Sequence, residues 1–145
     1  MSDAFVVLPE VSGDAAVWFG ANASGGVGVA QVMERWPGAV FPRPAPLQIT
    51  NRELDQADRT HGVLISRPHW SWGASMGVNQ WGLTIAMQAV WTRLDVVDRG
   101  LSGQDLTRLA LERCMNADEA LELLTTLLRR FGQGGRQISK GSGRA

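Results

Sequence analysis

The chain has few of the residues that most often do chemistry. Its 145 residues include one cysteine and two histidines. Cys114 alone excludes an intrachain disulfide. His61 and His69 lack a cysteine or acidic cluster at ligand spacing, so no metal site is assigned and no cofactor is expected. Charge of one sign is also missing, since Lys+Arg and Asp+Glu both number 14. A balanced chain has no global pull towards nucleic acid or an anionic membrane, and neither is expected as a partner. No long hydrophobic run exists. Phe5–Leu8 is too short for a signal core or a membrane span, and Met1–Ala4 lacks a basic region, so a soluble, cytoplasmic chain is expected. There is no phosphate loop, no Ser-His-Asp arrangement and no internal repeat.

What the chain does contain is tryptophan, glycine and β-branched residues concentrated in Thr60–Trp91. The block reads as a short apolar strand, a proline break, and a hairpin around Asn79-Gln80-Trp81-Gly82. Upstream, Phe5-Val6-Val7-Leu8 reads as a buried strand, Val11–Asp14 as a turn and Ala15–Gly20 as the returning strand. Asn22–Gly28 reads as a loop, and Gln31–Trp36 as a strand or one helical turn. Pro37–Pro46 reads as an extended connector, and Asn51–Arg59 as a solvated loop or short helix. Trp18, Trp70, Trp72 and Trp91 lie in strand-like runs, where core packing is favoured over a stacking surface for sugars or bases.

The second half changes period. Ser102 can cap a helix with Asp105 three residues on, and Leu106, Leu109 and Ala110 fall on one face. Asn116 can cap a second helix with Glu119 three residues on. Leu121, Leu124, Leu128 and Phe131 follow at helical spacing. Arg129 and Arg130 complement the carbonyl end, and Gly132 can close it. Cys114, late in the first helix, reads as a small core residue. The order of strands then helices predicts an α+β fold. Residues 1–135 form its domain, and 136–145 a disordered basic tail that reads as a solvated end.

Four stretches carry a family resemblance. W-x-W-G-A-x-M-G-x-N-x-x-G, beginning at Trp70, resembles the core signature of the secernin/dipeptidase-A family of N-terminal-nucleophile hydrolases. Trp18-Phe19-Gly20-Ala21-Asn22-Ala23-Ser24 is similar to that family's F-G-K-N-S-D-R. The stretch from Gly100-Leu101-Ser102-Gly103-Gln104-Asp105-Leu106 through Phe131-Gly132-Gln133-Gly134-Gly135 resembles a further segment. The resemblance implies the N-terminal part of an αββα sandwich and hydrolysis of amide bonds in small peptides. The start, Ser2-Asp3-Ala4-Phe5-Val6-Val7-Leu8-Pro9, also resembles the family, whose mature chain begins with Cys, then Asp-Thr and an apolar strand, and this places Ser2 where that cysteine stands. An N-terminal amine of ordinary pKa, about 7.7–8.0, is partly free base near neutral pH and can activate its own side chain. Retention of Met1 would abolish that route. By the same resemblance Asn79 is an oxyanion donor, and Asn22 and Ser24 face substrate. Taken alone, Ser2 is an ordinary exposed terminus and Asn79 a turn residue.

The departures fall on polar positions. Ser2 replaces Cys, Ala21 replaces Lys, and Ser24-Gly25 stand for Asp-Arg. Ser75 replaces Glu, Gln80-Trp81 replace a Glu-His-like pair, and Met87-Gln88 replace Asn-Glu. The family chain also runs beyond F-G-Q-G-G, so self-association or a complementing chain is expected. Two readings result. One is a dipeptidase-like amide-bond hydrolase with impaired activity. The other is a catalytically inactive truncated remnant acting as a binding or structural protein.

Overall fold

The computed structural model describes residues 3–23, 28–88, 93, 97 and 99–134. The fold is α+β, with antiparallel strands followed by two helices. Ser2, Ser24, Trp91 and the tail expected at 136–145 lie outside the described residues.

The chain begins with β1 (Asp3–Val7) and β2 (Trp18–Asn22), an antiparallel pair that forms its own two-stranded sheet. The expected strand at Phe5–Leu8 therefore exists, but it is not buried. Phe5 is 63% exposed and Trp18 57%. The hairpin pairs only with itself, so its apolar side chains lack a second layer among the described residues. This overturns core packing for Trp18.

The central sheet has the order β10-β9-β8-β3, all antiparallel, built from β3 (Gln31–Trp36), β8 (Val63–Pro68), β9 (Met76–Asn79) and β10 (Thr84–Ala86). Two two-stranded ribbons lie between β3 and β8 in sequence. β4 (Ala39–Val40) pairs with β7 (Arg59–Thr60), and β5 (Pro46–Gln48) with β6 (Glu53–Asp55). Thus Pro37–Pro46 is not uniformly a connector, and Asn51–Arg59 is neither plain loop nor helix. Leu54, the one large apolar residue in a polar run, packs against the core and makes β6 worth forming.

Alternation along β8 decides which sheet face is covered. Val63 and Ile65 are buried, whereas Leu64 between them is exposed. The register places Asn79 opposite Val63 and Gly77 opposite Ile65, hence on the same covered face. That face receives α1 (Gly103–Arg113), against which α2 (Ala117–Phe131) packs.

Both helix starts follow the expected chemistry. Ser102 Oγ accepts from the Asp105 N–H at 3.0 Å, and Asn116 Oδ1 from the Glu119 N–H at 3.0 Å. Glu119 reaches back to the Met115 N–H at 2.7 Å. Gly132 ends α2 with φ of 71°. Leu106, Leu109 and Ala110 are buried as expected, but so is every residue from Gln104 to Glu112. α1 is a central rather than an amphipathic surface helix. The packed stripe of α2 also differs from expectation. Ala120, Leu123, Leu124, Leu127 and Phe131 meet the core, while Leu121 and Leu128 are exposed. No described helix is long and apolar enough to cross a membrane.

Candidate functional site

The turn after β9 is the most densely bonded polar element near the Trp-Gly block. Asn79 is buried, and its side-chain amide makes four hydrogen bonds. Nδ2 donates to the carbonyls of Leu111 at 3.0 Å and Cys114 at 2.7 Å. Oδ1 accepts from the Trp81 and Leu83 N–H groups at 2.9 and 3.1 Å. One side chain thereby shapes the β9–β10 turn and ties it to the C-terminal end of α1. Both amide hydrogens are spent on main-chain carbonyls. In this geometry the Asn79 amide holds the turn against the end of α1.

The next two residues extend the clamp. Gln80 Oε1 accepts from the Gly62 N–H at 2.7 Å, and the Gln80 N–H donates to the Gly62 carbonyl at 2.9 Å. Trp81 Nε1 donates to His61 Nδ1 at 3.0 Å, with the two rings edge to face. An accepting Nδ1 places the proton of a neutral His61 on Nε2.

Two glycines of the block are explained by close approach. A Cβ on Gly73 would lie 2.2 Å from the Gln104 carbonyl carbon, and one on Gly77 2.9 Å from Leu111 Cδ1. Both positions let α1 sit directly on the chain. Trp72 has a related function. Its ring faces the Arg108 guanidinium at 4.4 Å, and Trp36 faces the same group at 4.9 Å. Arg108 also pairs with Glu112 at 2.7 Å and donates to the Trp72 carbonyl at 2.7 Å. The buried cation is thus matched by a carboxylate, a carbonyl and two aromatic faces.

Two adjoining clefts open beside the clamp, of about 350 and 330 Å³, and both are bordered by Gly38 and Gln80. Arg35 and Trp36 border the first, and Arg59, His61 and Trp81 the second. Among the described residues, no Asp or Glu borders either one. The cleft therefore offers donors suited to a carbonyl or carboxylate oxygen. Its one hydroxyl, on Thr60, is buried and accepts from the Ala39 N–H at 3.2 Å. The described cleft can recognise a polar group, but its lining supplies no free nucleophile.

A second buried polar network secures the start of α1. Asp105 is 1% exposed and accepts from Thr50 Oγ1 at 2.6 Å and Ser102 Oγ at 2.8 Å. The Trp72 N–H reaches Thr50 Oγ1 at 3.3 Å. This network was invisible in sequence beyond the Ser102–Asp105 spacing, because Thr50 is distant along the chain.

The remaining expected site residues separate from this cluster. Asn22 is exposed at the open end of the first hairpin, paired opposite Asp3. Strand pairing thus brings Asn22 beside the start of the chain, whereas Asn79 belongs to the central sheet. Ser75 is buried, its N–H bonded to the Ser66 carbonyl at 2.8 Å. Cys114 is buried at the end of α1, and burial, with Glu119 adding to it against Arg113, pushes its thiol pKa up. A raised pKa means little thiolate, so Cys114 does not act as a substitute nucleophile.

Residues 58–134 match the family model described as acyl-coenzyme A:6-aminopenicillanic acid acyl-transferase. The match takes in the Trp-Gly block, the Asn79 clamp and both helices. No solved structure matches the chain. Because the family model spans more than half of the sequence, the chain belongs to the acyl-coenzyme A:6-aminopenicillanic acid acyl-transferase family, whose members are acyltransferases and hydrolases of the N-terminal-nucleophile type.

Proposed function

We propose that this chain is a dipeptidase-like amide-bond hydrolase of the N-terminal-nucleophile type, with Ser2 as nucleophile once Met1 is removed. The observation that carries this reading is the family match combined with the Asp3–Asn22 pairing. Residues directly opposite in an antiparallel pair have Cβ atoms about 4.5–5.5 Å apart. Asn22 is thereby a neighbour of the residue that follows Ser2, where it can orient a bound peptide.

In this scheme the free α-amine of Ser2 takes the hydroxyl proton, directly or through a water. The oxygen attacks the peptide carbonyl, the C–N bond breaks, and the leaving amine collects the proton. Water then cleaves the ester and restores Ser2. Asn22 and Ser24 contribute to binding, and Asn79 holds the hairpin on which the domain depends. The partner is a small peptide. Serine in place of cysteine lowers nucleophilicity, which fits a slow enzyme.

The test is intact mass followed by assay. Loss of Met1, dipeptide hydrolysis by the wild type, and its abolition in Ser2→Ala are expected. Retained Met1, or equal rates in wild type and Ser2→Ala, would sink the proposal. Consumption of an acyl-thioester and an amine without peptide hydrolysis would instead make the acceptor an amine rather than water.

A second reading, a non-catalytic binding protein, is favoured by one observation. Asn79 and Gln80 use their amides to hold the fold, beside a cleft lined by donors and no acid. Saturable binding of a peptide by a protein that retains Met1 would select it.

A further inference from the structure

The far end of the molecule, where α2 meets the β5–β6 ribbon, holds an unbalanced group of arginines. Arg113 and Arg130 border a cavity of about 210 Å³ together with Leu54, Leu127 and Phe131. The Arg52 guanidinium lies 4.3 Å from the centre of the Phe131 ring, and that of Arg130 4.9 Å from it. Arg113 donates from Nη2 to the Asp55 carbonyl at 2.9 Å, and Arg52 from Nη1 to the Arg99 carbonyl at 3.1 Å. The Nε–H groups of both Arg52 and Arg113 are buried without a hydrogen-bond partner among the described residues.

Glu53 and Asp55 also border this cavity. Neither carboxylate pairs with an arginine, because the ion pairs among the described residues are Glu34–Arg67 and Arg108–Glu112. The contrast with Arg108 is direct. Arg108 is buried with a carboxylate, a carbonyl and two indole faces, while Arg113 has one carbonyl. A guanidinium does not lose its proton, and Glu112 and Asp55, which lie near Arg113 without forming an ion pair with it, offset the burial of its charge only in part. Burial also draws the Arg113 pKa down.

We infer that this cavity is a binding site for a small carboxylate carrying an apolar body. The carboxylate meets the guanidinium groups of Arg113 and Arg130 in a charge-assisted contact. Leu54, Leu127 and Phe131 take the hydrocarbon part. Glu53 and Asp55 disfavour a dianion and limit the site to a single negative charge. This site shares no residue with the clefts around Gln80, so it stands or falls apart from the proposed hydrolysis.

The probe is hexanoate, titrated into the full chain by calorimetry, with hexylamine, acetate and phosphate as comparisons. Saturable binding of hexanoate is expected, with acetate and phosphate at least about tenfold weaker. Arg130→Gln alters an exposed side chain and keeps the fold; it should weaken hexanoate about tenfold or more, as loss of a charged hydrogen bond implies. Arg113→Gln should do the same wherever its melting temperature shows a folded protein. No saturable hexanoate binding, equal binding of hexylamine, or affinity unchanged in Arg130→Gln would each overturn the assignment.

Discussion

The β1–β2 hairpin and the β8–β9 pair use similar residues for opposite ends. Each is antiparallel and rich in apolar side chains. In the first, Phe5 and Trp18 are open to solvent; in the second, Ile65 is fully buried and Asn79 is bonded on all sides. The difference lies in what covers them. Strand pairing alone stabilises a two-stranded ribbon only marginally, whereas a helix on one face supplies the area that makes a sheet stable. The covered pair falls within the family match, and the uncovered one carries the proposed nucleophile's end of the chain.

The comparison can be broken first in the core. Leu109 is 0% exposed, so Leu109→Ala should cost about 2–5 kcal/mol in denaturant unfolding. A loss below 1 kcal/mol would mean that α1 is not the central element. Asn79→Ala should cost about 2–4 kcal/mol, because it strands two carbonyls and two N–H groups at once. An unchanged midpoint for this variant would remove the clamp from the account.

Smaller effects sharpen the contrast. Phe5→Ser in the hairpin should shift stability by less than about 0.5 kcal/mol, as a surface substitution does. At higher concentration the same variant should reduce any self-association, since exposed apolar strands are adhesive. Sedimentation of wild type and variant checks this, and a wild type that stays monomeric would show that the hairpin needs no partner. The Glu34–Arg67 pair supplies the smallest term. Its bidentate hydrogen bonds, at 2.9 and 2.7 Å, are the main reason the Glu34 carboxyl pKa lies below its ordinary value of 4.5. A depressed folded pKa means that the pair contributes fully above the unfolded value and is lost as pH falls through the folded one. Glu34→Gln should therefore cost about 0–1 kcal/mol at pH 7, with the difference fading below about pH 4. A deficit that persists in acid would assign it to packing rather than charge.

Much of the helical half was legible in sequence, because caps are local chemistry. Ser102 with Asp105, Asn116 with Glu119, and Gly132 all perform as their spacing implies. The hairpin at Asn79–Gly82 was legible for the same reason. Burial was less so. Phe5–Leu8 has the composition of a core strand, but composition does not say whether a second layer arrives. Leu121 and Leu128 fit a helical period, yet the phase of the packed stripe is set by where α1 lies. Thr50 and Arg108 were not singled out at all, since their partners are far away in sequence. Of the expected site residues, Asn22 gained a structural neighbour in Asp3 and Asn79 four hydrogen bonds to the main chain. Ser2 and Ser24 lie outside the described residues.

Native-state hydrogen exchange, resolved by peptide, tests the central contrast most directly. Amides of 104–112 and 63–79 should exchange only through global unfolding, and those of 3–7 and 18–22 at least about a thousandfold faster, as locally opening segments do. Equal protection in the hairpin and in α1 would contradict the division of the chain into a covered core and an uncovered N-terminal ribbon.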